Sequence, residues 1–280
     1  MTFKANEETA ALVDMAAQGD AKAMEELIKG VANDVFNMSL RMLGGFEDAQ
    51  DASQEILMKI VSGLADFKKQ CAFSTWVFRI AANHLKNYRR HMFAQRPLSF
   101  EQYSDDILNA NTDVPDMTGG VDRALLSEEL KMSCTNVMLQ CLDAESRCIF
   151  ILGTMFAPDS RIAGEILGIT PESYRQKLSR ARKKMAEFLS EYCGEYGRGK
   201  CRCENRVNYA VMCHRINPQK PEFSEQTLIG VREAMEDIDE LSGSFEFMKM
   251  YESPEKIKKF IGDFISSEQL MKVTEISASE

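Results

Sequence analysis

The stretch EILGITPESYRQKLSRARKKM, residues 165–185, decides the fold prediction for this chain. A short apolar helix should end at Gly168. Thr170 and Pro171 should then begin a second helix, because Thr is a good N-cap and Pro is favoured at the first helical position. The second helix carries six basic residues: Arg175, Lys177, Arg180, Arg182, Lys183 and Lys184. Two helices joined by a tight turn, the second one basic, are typical of a helix-turn-helix motif that enters a DNA groove. A Lys/Arg-rich surface helix shows the same pattern, so the stretch alone leaves both interpretations open.

Length and composition indicate a globular chain of about two domains. The chain has 280 residues, of which 44% are hydrophobic and 28% charged, and 100–200 residues per domain is usual. No apolar run is long enough to span a bilayer, and the N-terminus lacks a signal-peptide pattern. We therefore expect a cytoplasmic protein without membrane insertion. In that compartment the eight Cys are expected as thiols or metal ligands and not as disulfides.

The formal net charge of -9 is distributed unevenly. The span Phe67–Phe100 has seven Lys or Arg and no acid, whereas Glu101–Asp122 has six acids and no Lys or Arg. From Ile216 to the end, 14 acids face 7 bases. Basic islands in an acidic protein fit DNA binding better than the overall charge suggests.

The first 91 residues predict helices throughout, on the spacing of their apolar residues. The second helix should bury Met24, Leu27, Ile28, Val31, Val35 and Phe36, and the third Ala49, Ala52, Ile56, Ile60 and Leu64. A fourth should follow Ser74 as N-cap and bury Trp76, Val77, Ile80, Ala81 and Leu85. We interpret these stripes as core.

The loop between the third and fourth helices, DFKKQCAFST at residues 66–75, combines cations with aromatic rings. Lys68 and Lys69 stand beside Phe67 and Phe73, and Trp76 follows at once. Cations interleaved with aromatics suit single-stranded nucleic acid, because the cations hold phosphates and the rings receive unstacked bases. The same rings could equally anchor the core, which is the favoured interpretation for Trp76.

Two segments carry a family resemblance. DAQDASQEILMKIVSGLADFKKQCAFSTWVFRIAANHLKNYRR, residues 48–90, resembles region 2 of bacterial RNA polymerase sigma factors of the extracytoplasmic-function (ECF) group of the sigma-70 family. Leu142–Leu189 resembles region 4 of the same family. The resemblance implies an all-α chain of two small helical domains joined by a flexible linker, with a helical C-terminal extension. Expected boundaries are 1–92 for region 2, 93–120 for an acidic linker, 121–190 for region 4, 191–215 for a Cys-rich segment and 216–280 for the extension.

The resemblance also implies contact roles. Core polymerase would bind one polar face of the third helix: Asp48, Asp51, Gln54 and Glu55. The −10 element would be opened and held by Lys68, Lys69, Phe73, Ser74, Thr75, Trp76, Asn83, Lys86, Arg89 and Arg90. The −35 element would be bound by Thr170, Ser173, Arg175, Gln176, Lys177, Ser179, Arg180 and Arg182. One departure from the family pattern is Ala163-Gly164, which predicts a weaker or more closely packed first helix.

The segment after Leu189 resembles only a subgroup of the family. Its cysteines are Cys193, Cys201, Cys203 and Cys213, and His214 adjoins the last. Four thiolates could hold zinc, but the spacing is not that of paired C-x2-C motifs, so zinc binding, reduced thiols and a redox pair all stay open. No cofactor is otherwise required. The tail beyond Phe223 predicts amphipathic helices, one capped at Ser253-Pro254 with Ile257, Phe260 and Ile261 on one face.

The sequence therefore predicts an alternative sigma factor, not an enzyme, that binds core RNA polymerase and promoter DNA. We expect regulation by an anti-sigma factor or by the C-terminal extension itself. The alternative is a free-standing helix-turn-helix regulator that never binds polymerase. The basic aromatic loop disfavours it, because a protein that reads only duplex DNA does not need such a loop.

Overall fold

The computed structural model describes residues 7–88, 97–109, 114–195, 197–220 and 253–265. These parts of the chain form eleven α-helices and one π-helical turn. The helices are α1 (Glu7–Ala17), α2 (Ala21–Leu43), α3 (Phe46–Ser62), α4 (Phe73–Asn87), α5 (Phe100–Asn109), α6 (Arg123–Gln140), α7 (Ala144–Ile151), α8 (Ser160–Leu167), α9 (Pro171–Tyr192), α10 (Cys203–Met212) and α11 (Glu255–Ile265). Among the described residues there is no strand, only an isolated backbone bridge. The all-α prediction is confirmed.

The helices divide into two compact units. Unit one holds the described parts of Met1–His91, Phe156–Arg175 and Tyr251–Glu280. Unit two holds those of Met92–Met155 and Gln176–Met250. The helix-turn-helix stretch thus begins in unit one, and α9 continues into unit two.

The core of unit one is built from α1 to α4. The stripes predicted for the second and third helices are buried, whereas Trp76 and Ile80 of the stripe predicted for the fourth helix are half-buried. The six stripe residues of α2 are at most 4% exposed, and those of the third helix at most 2%. Asp20 caps α2 by accepting hydrogen bonds from the backbone N–H groups of Lys22 (2.9 Å) and Ala23 (3.0 Å). Gly44 ends the same helix at φ 77°, a left-handed conformation that glycine adopts without steric cost.

The start of α4 differs from the prediction. The helix begins at Phe73, and Ala72 occupies the N-cap position without a side-chain cap. Ser74 is therefore not the N-cap; it lies in the first turn and is buried. Burial of Phe73 at 6% exposure fixes the entry of the chain, in place of a capping hydroxyl.

The segment 93–120 contains a helix that the sequence analysis missed. α5 begins after Ser99, whose hydroxyl accepts a hydrogen bond from Gln102 N (3.1 Å) while Ser99 N donates to Gln102 Oε1 (3.0 Å). This reciprocal pair is a capping box, and Ser-x-x-Gln was its visible signal. Tyr103, only 3% exposed, anchors α5 to the core of unit two.

The helix-turn-helix boundaries agree with the prediction. Asp159 caps α8, accepting from Arg161 N (2.9 Å) and Ile162 N (3.0 Å). Gly168 ends it at φ 70°. Thr170 Oγ1 then accepts a hydrogen bond from Ser173 N (3.2 Å), and α9 begins at Pro171, directly after Thr170.

None of the described helices combines the length and apolar character that crossing a bilayer requires.

Candidate nucleic-acid and protein interface

α9 presents one buried face and one basic face. Its buried side chains include Tyr174 (3% exposed), Ala181 (5%) and Met185 (1%). Six of the eight predicted −35 contacts are exposed, and Ser173 and Lys177 are half-buried. The exposed six are Thr170, Arg175, Gln176, Ser179, Arg180 and Arg182. The helix thus offers a continuous polar surface.

Three basic side chains of α9 are held in place by polar groups within their own unit. Arg175 Nη1 donates to Ser160 Oγ at 2.9 Å. Lys177 Nζ lies 2.6 Å from Glu145 Oε1, and Arg182 Nη2 donates to the carbonyl of Gly153 at 2.8 Å. These contacts orient long side chains before any ligand arrives, which lowers the entropic cost of binding one.

The turn between α8 and α9 is tight because Gly164 is a glycine. A Cβ built on Gly164 would lie 2.5 Å from the carbonyl oxygen of Ile169. The N–H of Ile169 donates back to Gly164 O at 3.0 Å. Of the two outcomes predicted for this glycine, the structure shows the closer packing.

The loop before α4 is closed by a cluster of three aromatic rings. The centroid of Phe67 lies 5.0 Å from that of Trp76 and 6.0 Å from that of Phe73, which is 5.9 Å from Trp76. Phe73 is buried, whereas Phe67 and Trp76 are half-buried. Part of both outer rings therefore remains accessible at the surface.

The other predicted −10 residues of this loop divide into buried and exposed ones. Ser74 is 5% and Thr75 2% exposed, so their side chains do not line an open surface here. Lys68 is exposed. Lys69 adopts φ 54° and its ammonium pairs with the carboxylate of Asp14.

α4 packs against α8 of the same unit and against the end of the π-helical turn that precedes it. Arg79 Nη2 lies 2.9 Å from Glu165 Oε1, and the rings of Phe78 and Phe156 pack edge to face at 4.7 Å between centroids. Asn83 is exposed and Lys86 half-buried. The last two predicted contacts, Arg89 and Arg90, lie outside the described residues.

The polar face of α3 brings the four predicted polymerase contacts together. Asp51 is exposed, and Asp48, Gln54 and Glu55 are half-buried. Their spacing of three and four residues places them along one side of the helix. Glu55 Oε2 lies 3.3 Å from Nε2 of His84 on α4, which joins that end of the face to the core.

Comparisons with known proteins show which proteins the chain resembles. The family model for sigma-70 region 2 matches residues 27–92, from α2 through α4. The chain is 24% identical over 182 residues to the RNA polymerase sigma-H factor of Pseudomonas aeruginosa, covering 64% of this chain and 92% of that protein. It is 29% identical over 181 residues to the RNA polymerase sigma factor NccH of Alcaligenes xylosoxydans xylosoxydans, covering 64% and 93%.

A third relative carries the name of the group. The ECF RNA polymerase sigma factor SigW of Bacillus subtilis is 24% identical over 176 residues, which cover 62% of this chain and 92% of that protein. The chain belongs to the ECF group of the sigma-70 family. Each of these alignments leaves more than a third of this ECF chain outside it.

The four cysteines predicted as metal ligands in this sigma-family chain differ in burial and surroundings. Cys193 and Cys201 face each other across an isolated backbone bridge. Cys203 is buried at the start of α10 in an apolar cluster with Leu126, Leu130 and Val207, whereas Cys213 is exposed at its other end. Among the described residues no three His, Cys, Asp or Glu side chains form a metal-binding group.

Burial favours the protonated thiol at two of the four cysteines, Cys201 and Cys203. It raises the pKa of Cys201 to about 11 and that of Cys203 further, the nearby Cys134 adding to both. A protonated thiol is neither a good nucleophile nor a metal ligand. These two thiols are therefore poor nucleophiles at neutral pH, and zinc binding at the four cysteines stays a prediction from the sequence.

A polar network that the sequence analysis missed fixes α5 against α10. Tyr209 donates a 2.7 Å hydrogen bond to Asp106 Oδ1, and Arg206 donates to the carbonyl of Ile107 at 2.8 Å. Arg206 and Arg215 each lie 3.4 Å from Asp106 Oδ2. Arg206 is 7% exposed, so it is a structural residue of this ECF chain and not part of an open DNA surface. No spacing in the sequence could signal partners about 100 positions apart.

Proposed function

We propose that the chain is an alternative sigma factor that binds core RNA polymerase, recognises the −35 and −10 promoter elements and promotes DNA opening. The observation that carries this is the region 2 match over α2–α4, which includes the aromatic loop. The capped basic helix α9 supplies a second DNA-binding element in the same chain. Positioning and opening DNA in a complex with polymerase requires no bond to be made or broken by the chain, so we propose no enzymatic activity. We propose a cytoplasmic location, because the chain would act together with polymerase and promoter DNA.

The loop before α4 suits the opening of the −10 element. Extruding a base costs a few kcal/mol of stacking, which a pocket with an accessible ring can return. Trp76 and Phe67 supply half-buried rings here, and Lys68 supplies an exposed cation for the phosphate. Phe73 supports those rings from the core side, because it is buried and contacts both.

The exposed face of α9 suits reading of the −35 element. Arg and Gln can bond guanine and adenine edges bidentately, and Arg175 and Gln176 are both exposed in the first turns of the helix. Lys177, Arg180 and Arg182 suit phosphate contacts, which position the helix without specifying sequence. We therefore assign sequence specificity to Arg175 and Gln176, and sequence-independent affinity to the three residues that suit phosphate contacts.

The packing of α8 on α4 implies that the protein opens before it engages a promoter. The two elements are about 25 base pairs apart by their names, roughly 85 Å at ~3.4 Å per base pair. Arg79 and Glu165 are in contact at 2.9 Å, so the two DNA-binding parts cannot stand at both elements in this arrangement. The described structure then corresponds to the protein before promoter binding.

The experiment is run-off transcription with purified core polymerase on a library of promoter fragments. The expected result is defined transcripts that appear only when both the chain and core are present. Absence of transcripts together with sequence-specific binding of duplex DNA by the chain alone would support the free-standing regulator instead.

A further inference from the structure

The C-terminal helix α11 packs across α2 and α3, the helices that carry the proposed polymerase-binding face. Ile257 and Ile261, one turn apart, are 0% and 3% exposed. The backbone N–H of Ser253, just before the helix, donates to Asn33 Oδ1 on α2 at 2.8 Å. Lys256 Nζ lies 3.3 Å from Asp51 Oδ1 on α3. The helix thus has an apolar contact, a backbone hydrogen bond and an ion pair to this surface.

The charge of α11 matches this surface. Its eleven residues contain Lys256, Lys258 and Lys259 against Glu255 and Asp263, although the chain from Ile216 onward carries twice as many acids as bases. The first turn of α3 is acidic, with Glu47 and Asp48, and Asp51 follows one turn later. A locally basic helix in an acidic tail therefore lies on an acidic helix.

Docking is what makes α11 a stable helix. Isolated helices shorter than about 12–15 residues are marginal in water, and α11 has 11 residues. The ion pair contributes little, because Lys256 and Asp51 side chains are 58% and 59% exposed. Burial of Ile257 and Ile261 is the main contribution, so these two residues control whether the helix stays docked.

We propose that α11 is a built-in competitor of core RNA polymerase for the α3 face. The inference rests on the proposed function, because it takes Asp48, Asp51, Gln54 and Glu55 as the polymerase contacts. Lys256 is paired with one of those four residues, so α11 and polymerase cannot both occupy Asp51. The apparent dissociation constant of core then equals the intrinsic one divided by the fraction of molecules with α11 undocked.

The test compares two double variants of the full-length chain. Ile257→Asn with Ile261→Asn removes the apolar contact. Lys259→Asn with Asp263→Asn is the control, because it changes two exposed residues of the same helix and leaves the net charge unaltered. Affinity for purified core polymerase is measured for both and for the unaltered chain.

We expect the isoleucine variant to bind core at least tenfold more tightly than the unaltered chain, and the control to bind like the unaltered chain. Equal core affinity of all three proteins would overturn the competition. Failure of all three to bind core at any concentration would instead overturn the proposed function, and the two failures are thereby distinguished.

Hydrogen exchange of the unaltered chain provides a readout that does not depend on any variant. Addition of core polymerase should raise the exchange rates of the α11 backbone amides as the helix is displaced, while α3 amides become more protected. Continued protection of α11 in the polymerase complex would contradict the proposal.

Discussion

The guanidinium of Arg79 on α4 and the carboxylate of Glu165 on α8 form an ion pair at 2.9 Å. The pair joins the helix proposed to hold the −10 element to the first helix of the helix-turn-helix. Under the proposed function, promoter engagement requires this ion pair to break, because the −10 and −35 elements lie too far apart for α4 and α8 to remain in contact.

Replacing Glu165 with Ala should therefore favour the open protein. The two side chains are 39% and 43% exposed, so the loss in free energy of unfolding should stay below about 1 kcal/mol. Promoter affinity of the polymerase complex should rise by up to about fivefold, the equivalent of that energy. Glu25→Ala, which removes an exposed pair with Lys29, is the matched control and should leave promoter affinity unchanged. A decrease in promoter affinity for Glu165→Ala would contradict the need for opening.

Arg175→Ala and Gln176→Ala should each weaken binding in a sequence-dependent manner. Loss of one bidentate base contact costs roughly 1–3 kcal/mol at the matching base pair. Competition between promoters with altered −35 elements measures this directly. Arg180→Ala, at an exposed site of α9, should weaken binding to all sequences equally and lower the salt dependence. A uniform loss for Arg175→Ala would mean that Arg175 contacts only the backbone.

Gly164→Ala should destabilise the helix-turn-helix. The new Cβ would lie 2.5 Å from the carbonyl of Ile169, and such overpacking typically costs about 1–3 kcal/mol. Gly30→Ala is the control, since a Cβ on Gly30 in α2 meets nothing within 4 Å. It should raise the free energy of unfolding by roughly 0.5–1 kcal/mol through helix propensity. Urea unfolding measures the free energy of unfolding of both variants. A Gly164→Ala protein more stable than the unaltered chain would contradict the close approach of residue 164 to the carbonyl of Ile169.

Asp106→Ala should destabilise unit two, because it leaves the buried Arg206 without its carboxylate partner. Breaking one side of such a pair costs on the order of 3 kcal/mol when the remaining charge is buried. Asp105→Ala removes the same charge from the neighbouring exposed position and should be close to neutral. Equal unfolding midpoints for the two variants would show that the network contributes nothing to stability.

Alkylation of the native protein should follow burial of the thiols. The exposed Cys213 should react first at pH 7, and Cys201 slowly, because its pKa is raised to about 11. The alkylation rate of Cys201 should increase as the pH rises to about 11, its pKa, since the thiolate is the reactive form. Mass spectrometry of partly labelled protein gives the order. A bound zinc ion would change the order of labelling, because it would protect the thiols that ligate it from alkylation. The zinc content of the same sample is therefore measured as well.

The features that the sequence predicted correctly depend on residues close together in the chain. The helix-turn-helix boundaries were predicted because Gly168, Thr170 and Pro171 act on neighbours a few residues away. The core stripes of α2 and α3 followed from periodicity for the same reason.

Longer-range features were not predictable in the same way. The apolar stripe of α11 was visible, but its packing surface on α2 and α3 depends on contacts such as Ser253 with Asn33, 220 positions apart. α5 was missed for a different reason. Its Ser99 capping box was present in the sequence, but the acidic, aperiodic composition around it favoured a linker. Of the candidate site, residue types and helices were predicted, whereas the engagement of Lys177 and Asp51 by partners in the chain was not.

The most direct test of the central claim is permanganate footprinting of promoter DNA with purified core polymerase. Permanganate oxidises unpaired thymines, so it reports strand opening itself. We expect reactive thymines within the −10 element only when this chain and core are both present, with weaker reactivity for Trp76→Ala. Promoter binding without core, and no reactive thymine under any condition, would contradict it.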